Sequence, residues 1–330
     1  AVERRFVPVE TRMVGKIAVD ETRLRDIAAW VPGRIDRLYV DYTGVQVNEG
    51  DHMVYLYSPE LITAQEELLQ ALRALGQLAN NGVPTLRQTA KATVESVREK
   101  LRLWGLTAAQ IAEIERAQKP SDHLTIYAPA SGVVVKRHVG QGAYVQTGAR
   151  IYTIADLSQV WLELAAYESD LAWIHYGQEV EFSTEAYPSE YFAGRIAFID
   201  PLLDEKTRTV RVRVNVDNAD GRLKPGMLAR AVSRARATAD GRVMDEALAG
   251  KWISPMHPEI VKDRPGVCDI CGMALVRAEE LGYMDRETAA REKPLVVPAS
   301  AVLITGKRAI VYVAVPERPG IFAGREVELG

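Results

Sequence analysis

Residues 31–58 read VPGRIDRLYVDYTGVQVNEGDHMVYLYS, and residues 130–154 read ASGVVVKRHVGQGAYVQTGARIYTI. Set side by side, the two stretches repeat. Gly33 aligns with Gly132, Val40 with Val139 and, after a one-residue gap, Gly50 with Gly148. Each copy reads as short alternating strands broken by glycine turns. A copy of about 30 residues is too small to bury a core alone. The two are therefore expected to fold together as one small β-sandwich.

Between the copies the texture changes. From Pro59 to Lys119, Ala, Leu, Gln, Glu and Arg dominate, all strong helix formers. Leu61, Ala64, Leu68, Leu69, Leu72 and Leu75 recur at helical spacing. Ser58 stands at an N-cap position and Pro59 in the first turn. The run breaks at the turn cluster Asn80-Asn81-Gly82-Val83-Pro84. A second helix is predicted over roughly 85–104, with Gly105 just past its end, and Thr107 caps a short third helix. The insertion at 59–120 is thus a three-helix arm, read either as a solvated insertion or as a docking arm. A 20-residue helix spans about 30 Å, so its reach is modest.

Past the second copy the pattern is β again. VWLELAAYE, QEVEFSTEA, GRIAFIDPL and TRTVRVRVNVDN, split by Gly, Pro and Asp, predict a small antiparallel barrel over 158–236. ESDLAWI reads as a helical turn or two, and Arg208 as the anchor of a barrel turn. The opening strand-like segment and PLVVPASAVLITGKRAIVYVAV near the end are each too short to be a domain. The expectation is that residues 1–23 and 294–330 pair into one β-domain.

One further segment carries chemistry. Residues 252–276, WISPMHPEIVKDRPGVCDICGMALV, gather Met256, His257, Cys268, Cys271 and Met273. The two cysteines are the only ones in the chain. Thiolate, thioether and imidazole donors suit Cu(I), Ag(I) or Zn(II) far better than Mg or Ca. The Cys-x-x-Cys spacing lets one tight loop aim two sulfurs at one ion. Cu(I) accepts two or three soft ligands, whereas structural Zn prefers four. The competing reading is a vestigial element whose thiols are free or paired with each other. The charged, Ala-rich stretches at 237–250 and 278–294 are expected to be mobile linkers around this module. Four scattered methionines, Met13, Met53, Met227 and Met244, read as core filler, with Met13 a weak candidate for metal relay. His52, His123, His138 and His175 show no ligand spacing.

Composition bounds the rest. At 330 residues the chain is long enough for several domains. Its net charge of −3 supplies no electrostatic reason to bind nucleic acid, and no such partner is expected. No apolar run reaches the roughly 18 residues of a membrane span. The start, AVERRFVPVE, lacks the layout of a signal peptide, so the chain is expected either in the cytosol or downstream of a removed signal.

Taken together, these segments resemble the periplasmic adaptors, or membrane fusion proteins, of resistance-nodulation-division (RND) efflux pumps, in their copper/silver branch. TRLRDIAAWVPGRIDRLYVDYTGVQVNEGDHMVYLYSPEL resembles the first lipoyl-like half, and IYAPASGVVVKRHVGQGAYVQTGARIYTIADLSQVWL the second. DEKTRTVRVRVNVDNADGRLKPGM resembles the barrel signature, and LVVPASAVL the strand entering the membrane-proximal domain. The resemblance implies a mainly β chain with an α-helical hairpin. A split lipoyl-like β-sandwich takes 24–58 and 121–157, the arm 59–120 and the barrel 158–236. A membrane-proximal β-domain comes from both ends, and is implied to be longer than the segment that stops at Gly330. Residues 237–293 are linkers carrying the module at 252–276. That module is similar to a heavy-metal-binding domain whose usual form is C-P-M-H-P followed by P-G-x-C-x-x-C-G-M. Ser254 stands here where the family usually has Cys.

The implied function is non-enzymatic. An adaptor in the periplasm would link an inner-membrane RND transporter to an outer-membrane channel, self-associating as a hexamer, for efflux of copper or silver. It would be held at the inner membrane by a partner or an N-terminal anchor. A soluble metal-storage or metallochaperone protein is the alternative. A lipoyl carrier needs a modifiable Lys at the hairpin tip, where this chain has the helical insertion. A Cys-x-x-Cys oxidoreductase needs a helix N-terminus and a βαβ frame, and neither is announced around Cys268.

Overall fold

The two repeat copies interlock. In the computed structural model, which describes residues 2–81, 83–237, 243–245, 248–283, 293, 295–306, 308–316 and 318–328, they build two four-stranded sheets. One runs Leu24–Ala28, Arg150–Ala155, Gly132–Arg137, Gln46–Val47, and the other His123–Tyr127, His52–Tyr57, Gly33–Leu38, Tyr144–Val145. Each sheet takes two strands from either side of the helical insertion. The cross-pairings are reciprocal: Gly33 faces Val145, and Val47 faces Gly132. At both glycines the backbones nearly touch. A Cβ on Gly33 would stand 2.3 Å from the Tyr57 carbonyl oxygen, and one on Gly132 2.5 Å from that of Ala155. Ile35, Met53, Leu56, Val134, Tyr152 and Ile154 are buried between the sheets. The Tyr152 hydroxyl is satisfied by the Val40 carbonyl at 2.5 Å, and burial pushes that phenol up to about 12.

The arm comprises α1 (Pro59–Asn81), α2 (Pro84–Leu103) and α3 (Ala108–Ala117). The Ser58 hydroxyl accepts the Leu61 N–H at 3.4 Å, and Thr107 and Gln110 form a reciprocal capping box at α3. The arm is rooted in the sheets. Leu61, Ala64, Leu68, Leu101, Ile111 and Ile114 continue the sandwich core. Gln65, fully buried, grips the returning chain with two 2.8 Å bonds to the Ser121 backbone.

A separate compact unit holds residues 1–18 and 158–330. Six strands close its barrel in the order Glu179–Thr184, Tyr187–Asp204, Thr209–Asp217, Gln159–Tyr167, Val7–Val19, Leu228–Ala237, the last pairing back to the first. Here the structure corrects the expectation for residues 1–23. Val7–Val19 lies between Gln159–Tyr167 and Leu228–Ala237 and completes the barrel. Its alternation explains why: Thr11, Met13 and Ile17 face inward, while Arg12, Val14 and Lys16 face out. Met13 is core, 2% exposed. The chain ends meet where Glu3–Arg4 pairs with Leu295–Val296. Val302–Thr305, Arg308–Ala314 and Phe322–Val327 form their own three-stranded sheet. Arg208 turns the barrel corner in the left-handed region, at φ 55°.

The mobile-linker expectation is corrected for the described residues. Val243–Met244 extends the barrel sheet against Arg236 and Ala237. Val243, Leu248, Ala278 and Tyr283 join Ile253 and Ala235 in a buried cluster flanked by Val9 and Trp173. Apolar residues in runs of only two or three within a charged stretch hide this docking from a composition reading. Positions 238–242, 246–247, 284–292 and 294 lie outside the described residues.

Candidate metal centre

The module is a three-stranded sheet with Trp252–Ile253 in the middle, Val261–Lys262 on one side and Val276–Arg277 on the other. Two loops leave this sheet toward each other. The first follows Ile253 directly: Ser254 Oγ accepts the His257 N–H at 3.1 Å, and Ile260 N–H bonds the His257 carbonyl at 2.8 Å. The second is a hairpin closed by Cys268 N–H to Met273 O at 2.8 Å and Leu275 N–H to Gly266 O at 2.9 Å. Gly272, at φ 72°, supplies the left-handed residue that lets its N–H reach back to Cys268 O at 2.9 Å. Lys262 braces this hairpin through Val267 O at 3.0 Å and Asp269 at 2.6 Å.

The loops bring three of the five sequence-predicted residues together. A ring nitrogen of His257 and the sulfurs of Cys268 and Cys271 lie within 4.8 Å of one another. Cys268 Sγ stands 3.6 Å from His257 Nδ1. Both thiols are free, Cys268 buried and Cys271 exposed. Burial disfavours ionisation of Cys268, yet the Ser254 hydroxyl and the N–H groups of Cys271 and Ile270 outweigh it and hold the thiol at about 6. The lowering favours the thiolate, the form that ligates metal. Met256 and Met273 are 57% and 46% exposed, and Met273 is tied into the hairpin through its carbonyl. Ser254, which stands where a thiol is usual in the resembling domain, is fully buried and caps its own loop through the His257 N–H. A serine three residues before a backbone N–H it can cap was the available signal.

The remaining histidines do other work. His52 packs edge-on against Tyr39, and His138 bonds Thr153. His123 bridges Asp36 and Asp122 while stacking on Tyr55. His175 packs against Tyr283 where the module meets the barrel.

Three family models match in succession. A CzcB-like barrel-sandwich hybrid domain covers 23–156, a CusB-like β-barrel domain 159–237 and a heavy metal binding domain 251–278. The chain belongs to the heavy-metal RND membrane fusion proteins. This membrane fusion protein is 29% identical over 212 residues to the cation efflux system protein CusB of Escherichia coli K12, covering 64% of the chain and 49% of CusB. It is 30% identical over 234 residues to the nodulation protein NolF of Rhizobium meliloti, covering 66% of the chain and 61% of NolF. It thus spans about half the length of CusB. Among solved structures, MacA from Actinobacillus actinomycetemcomitans aligns over all of this membrane fusion protein and 91% of its own chain, with TM-score 0.51 and 19% identity, a likeness of fold.

Proposed function

We propose that this chain is a non-enzymatic periplasmic adaptor of a heavy-metal RND efflux system, and that its 252–276 module captures a soft cation, Cu(I) or Ag(I) ahead of Zn(II). The observation that carries the reading is the convergence of His257, Cys268 and Cys271 within 4.8 Å inside a segment matching a heavy metal binding domain. Two thiolates and one imidazole make a complete three-coordinate shell for a soft monovalent ion but an incomplete one for structural zinc. Met256 and Met273, exposed beside the trio, would receive the ion first and pass it inward by ligand exchange. The cation is cargo, so no bond of it is made or broken beyond coordination.

The adaptor would bridge an inner-membrane RND transporter and an outer-membrane channel, with the helical arm reaching the channel or a neighbouring adaptor. It would self-associate as a hexamer and be held at the inner membrane through its transporter or an anchor. Affinity purification from membranes tests this reading. Recovery of an RND transporter and a channel protein with the chain, together with copper or silver sensitivity on deletion of its gene, is expected. A lone soluble monomer, with metal tolerance unchanged by deletion, would favour storage instead.

A further inference from the structure

Cys268 and Cys271 are the only cysteines in the chain, so a disulfide within it has one possible pairing. Both thiols are free, Cys271 exposed and Cys268 2% exposed. Residues 268–272 close a single turn, in which the Gly272 N–H bonds the Cys268 carbonyl at 2.9 Å. Such a turn holds its first and fourth Cα atoms within about 7 Å, and a disulfide spans Cα atoms about 4.4–6.8 Å apart. The two sulfurs already lie within 4.8 Å of each other. The bonds that shape the hairpin, Cys268 N–H to Met273 O and Leu275 N–H to Gly266 O, are made by the backbone alone. Joining the sulfurs requires none of them to break.

The two thiols differ in access. A disulfide-bearing molecule in solution reaches the exposed Cys271 and not the buried Cys268. Thiol–disulfide exchange proceeds by attack of a sulfur on a disulfide, through a mixed disulfide. Cys271 is placed to open such an exchange, and Cys268, behind it in the same turn, to complete it. These two sulfurs are also two of the three donors gathered with His257. A bound ion and a disulfide therefore exclude each other.

We infer that Cys268 and Cys271 form a thiol–disulfide gate on the metal centre, with a small-molecule disulfide, RSSR, as the co-reactant. Cys271 attacks one sulfur of RSSR, whose S–S bond breaks and releases one RS−. Cys268 then attacks the Cys271 sulfur of the mixed disulfide, forming the Cys268–Cys271 bond and expelling the second RS−. The two cysteine thiols give up two electrons and two protons, and RSSR takes both to become two RSH. Closure leaves only His257 of the trio, so capture of a soft ion stops until a thiol reductant reopens the pair. An ion already bound occupies both sulfurs and keeps the gate open. This inference rests on the reading of His257, Cys268 and Cys271 as a metal centre.

The test treats the reduced, metal-free full chain with oxidised glutathione. Wild type is expected to lose both thiols, its mass falling by two hydrogens with no glutathione retained. After desalting it should take up neither Cu(I) nor Ag(I) in competition with a chelator, and treatment with dithiothreitol should restore uptake. Chain loaded with Ag(I) beforehand should lose its thiols at least about tenfold more slowly, because access to the attacking sulfur sets the rate. Cys268→Ser should stop at a glutathione adduct on Cys271, while Cys271→Ser should keep its remaining thiol over the same period. A lasting glutathione adduct or a disulfide-linked dimer in wild type would overturn the inference, as would oxidised protein that takes up Ag(I) like the reduced chain. Reduced protein that binds neither Cu(I) nor Ag(I) would instead overturn the metal-centre reading beneath it.

Discussion

The Tyr283 hydroxyl donates a 2.7 Å hydrogen bond to the Tyr176 carbonyl, fastening the chain beyond the metal module to the barrel. Tyr283 is 2% exposed and its ring packs on His175. Beside it, Gly282 leaves no room for a side chain, since a Cβ would lie 2.5 Å from the His175 ring. Ile253, fully buried, packs in the same cluster and immediately precedes Ser254. The residue that caps the His257 loop and a residue that docks the module are therefore consecutive.

Tyr283 variants should loosen that docking in proportion to what they remove. Tyr283→Phe deletes the hydrogen bond and should cost about 1 kcal/mol. Tyr283→Ala empties a buried site and should cost about 3–5 kcal/mol. Hydrogen exchange is the readout: amides of 248–283 should exchange faster, most in Tyr283→Ala, while those of 24–157 stay as in wild type. Wild-type exchange in Tyr283→Ala would show that the docking contributes nothing.

Two glycines should respond to alanine with opposite signs. A Cβ on Gly15 would lie 1.9 Å from the Glu163 carbonyl oxygen, at the seam where Val7–Val19 completes the barrel. Gly15→Ala must push those backbones apart and should destabilise by about 1–3 kcal/mol or more. Gly76 lies on α1 with nothing within 4 Å of its would-be Cβ. Gly76→Ala should stabilise by about 0.5–1 kcal/mol through helix propensity. Urea denaturation followed by circular dichroism separates the two outcomes.

The root of the arm should be weakened by loss of Gln65. Its amide makes both bonds to the buried-side backbone of Ser121. Gln65→Ala leaves a donor and an acceptor unpaired and should cost about 2 kcal/mol. Faster proteolysis within 59–120 than in wild type is the expected result, and equal rates would contradict it.

The sandwich should carry a pH signature from His123. The Asp36 carboxyl is held at about 2, chiefly by the hydrogen bond from Arg34 and then by that from His123. This stabilisation is present above the ordinary value of 3.8 and is lost as pH falls through about 2. Burial pulls the His123 imidazole down, but hydrogen bonds to Asp36 and Asp122 outweigh it and leave it raised. That contribution is complete below the ordinary 6.5 and is lost as pH rises through the raised value. Both operate together between pH 3.8 and 6.5. The melting temperature of wild type should exceed that of His123→Gln most in this window and converge toward it at alkaline pH. A difference that does not vary with pH would exclude the pair as its source.

How far these features could be read from the chain depended on the range of the interaction. The paired glycines at 33 and 132 announced the interlocked sandwich because a backbone contact tolerates no other residue there. Thr107 and Gln110 announced α3 because a capping box is local. The partner of Val7–Val19 was not legible: alternation of Thr11, Met13 and Ile17 specifies a strand with one buried face but not which edge it fills. Docking through Val243, Leu248 and Tyr283 was hidden because each sits in a run of only two or three apolar residues among charges and glycines. Cys268, Cys271 and His257 were legible as donors from type and spacing. The burial of Ser254 was not legible, because a small polar side chain carries no signal of where its loop packs.

The most direct test of the account is a titration of the reduced protein with Cu(I) and with Ag(I), alongside the Cys268→Ser/Cys271→Ser double variant. Uptake of one ion per chain in wild type, abolished in the double variant, is the predicted result. An unchanged stoichiometry in the double variant would contradict the assignment of the centre to the 252–276 module.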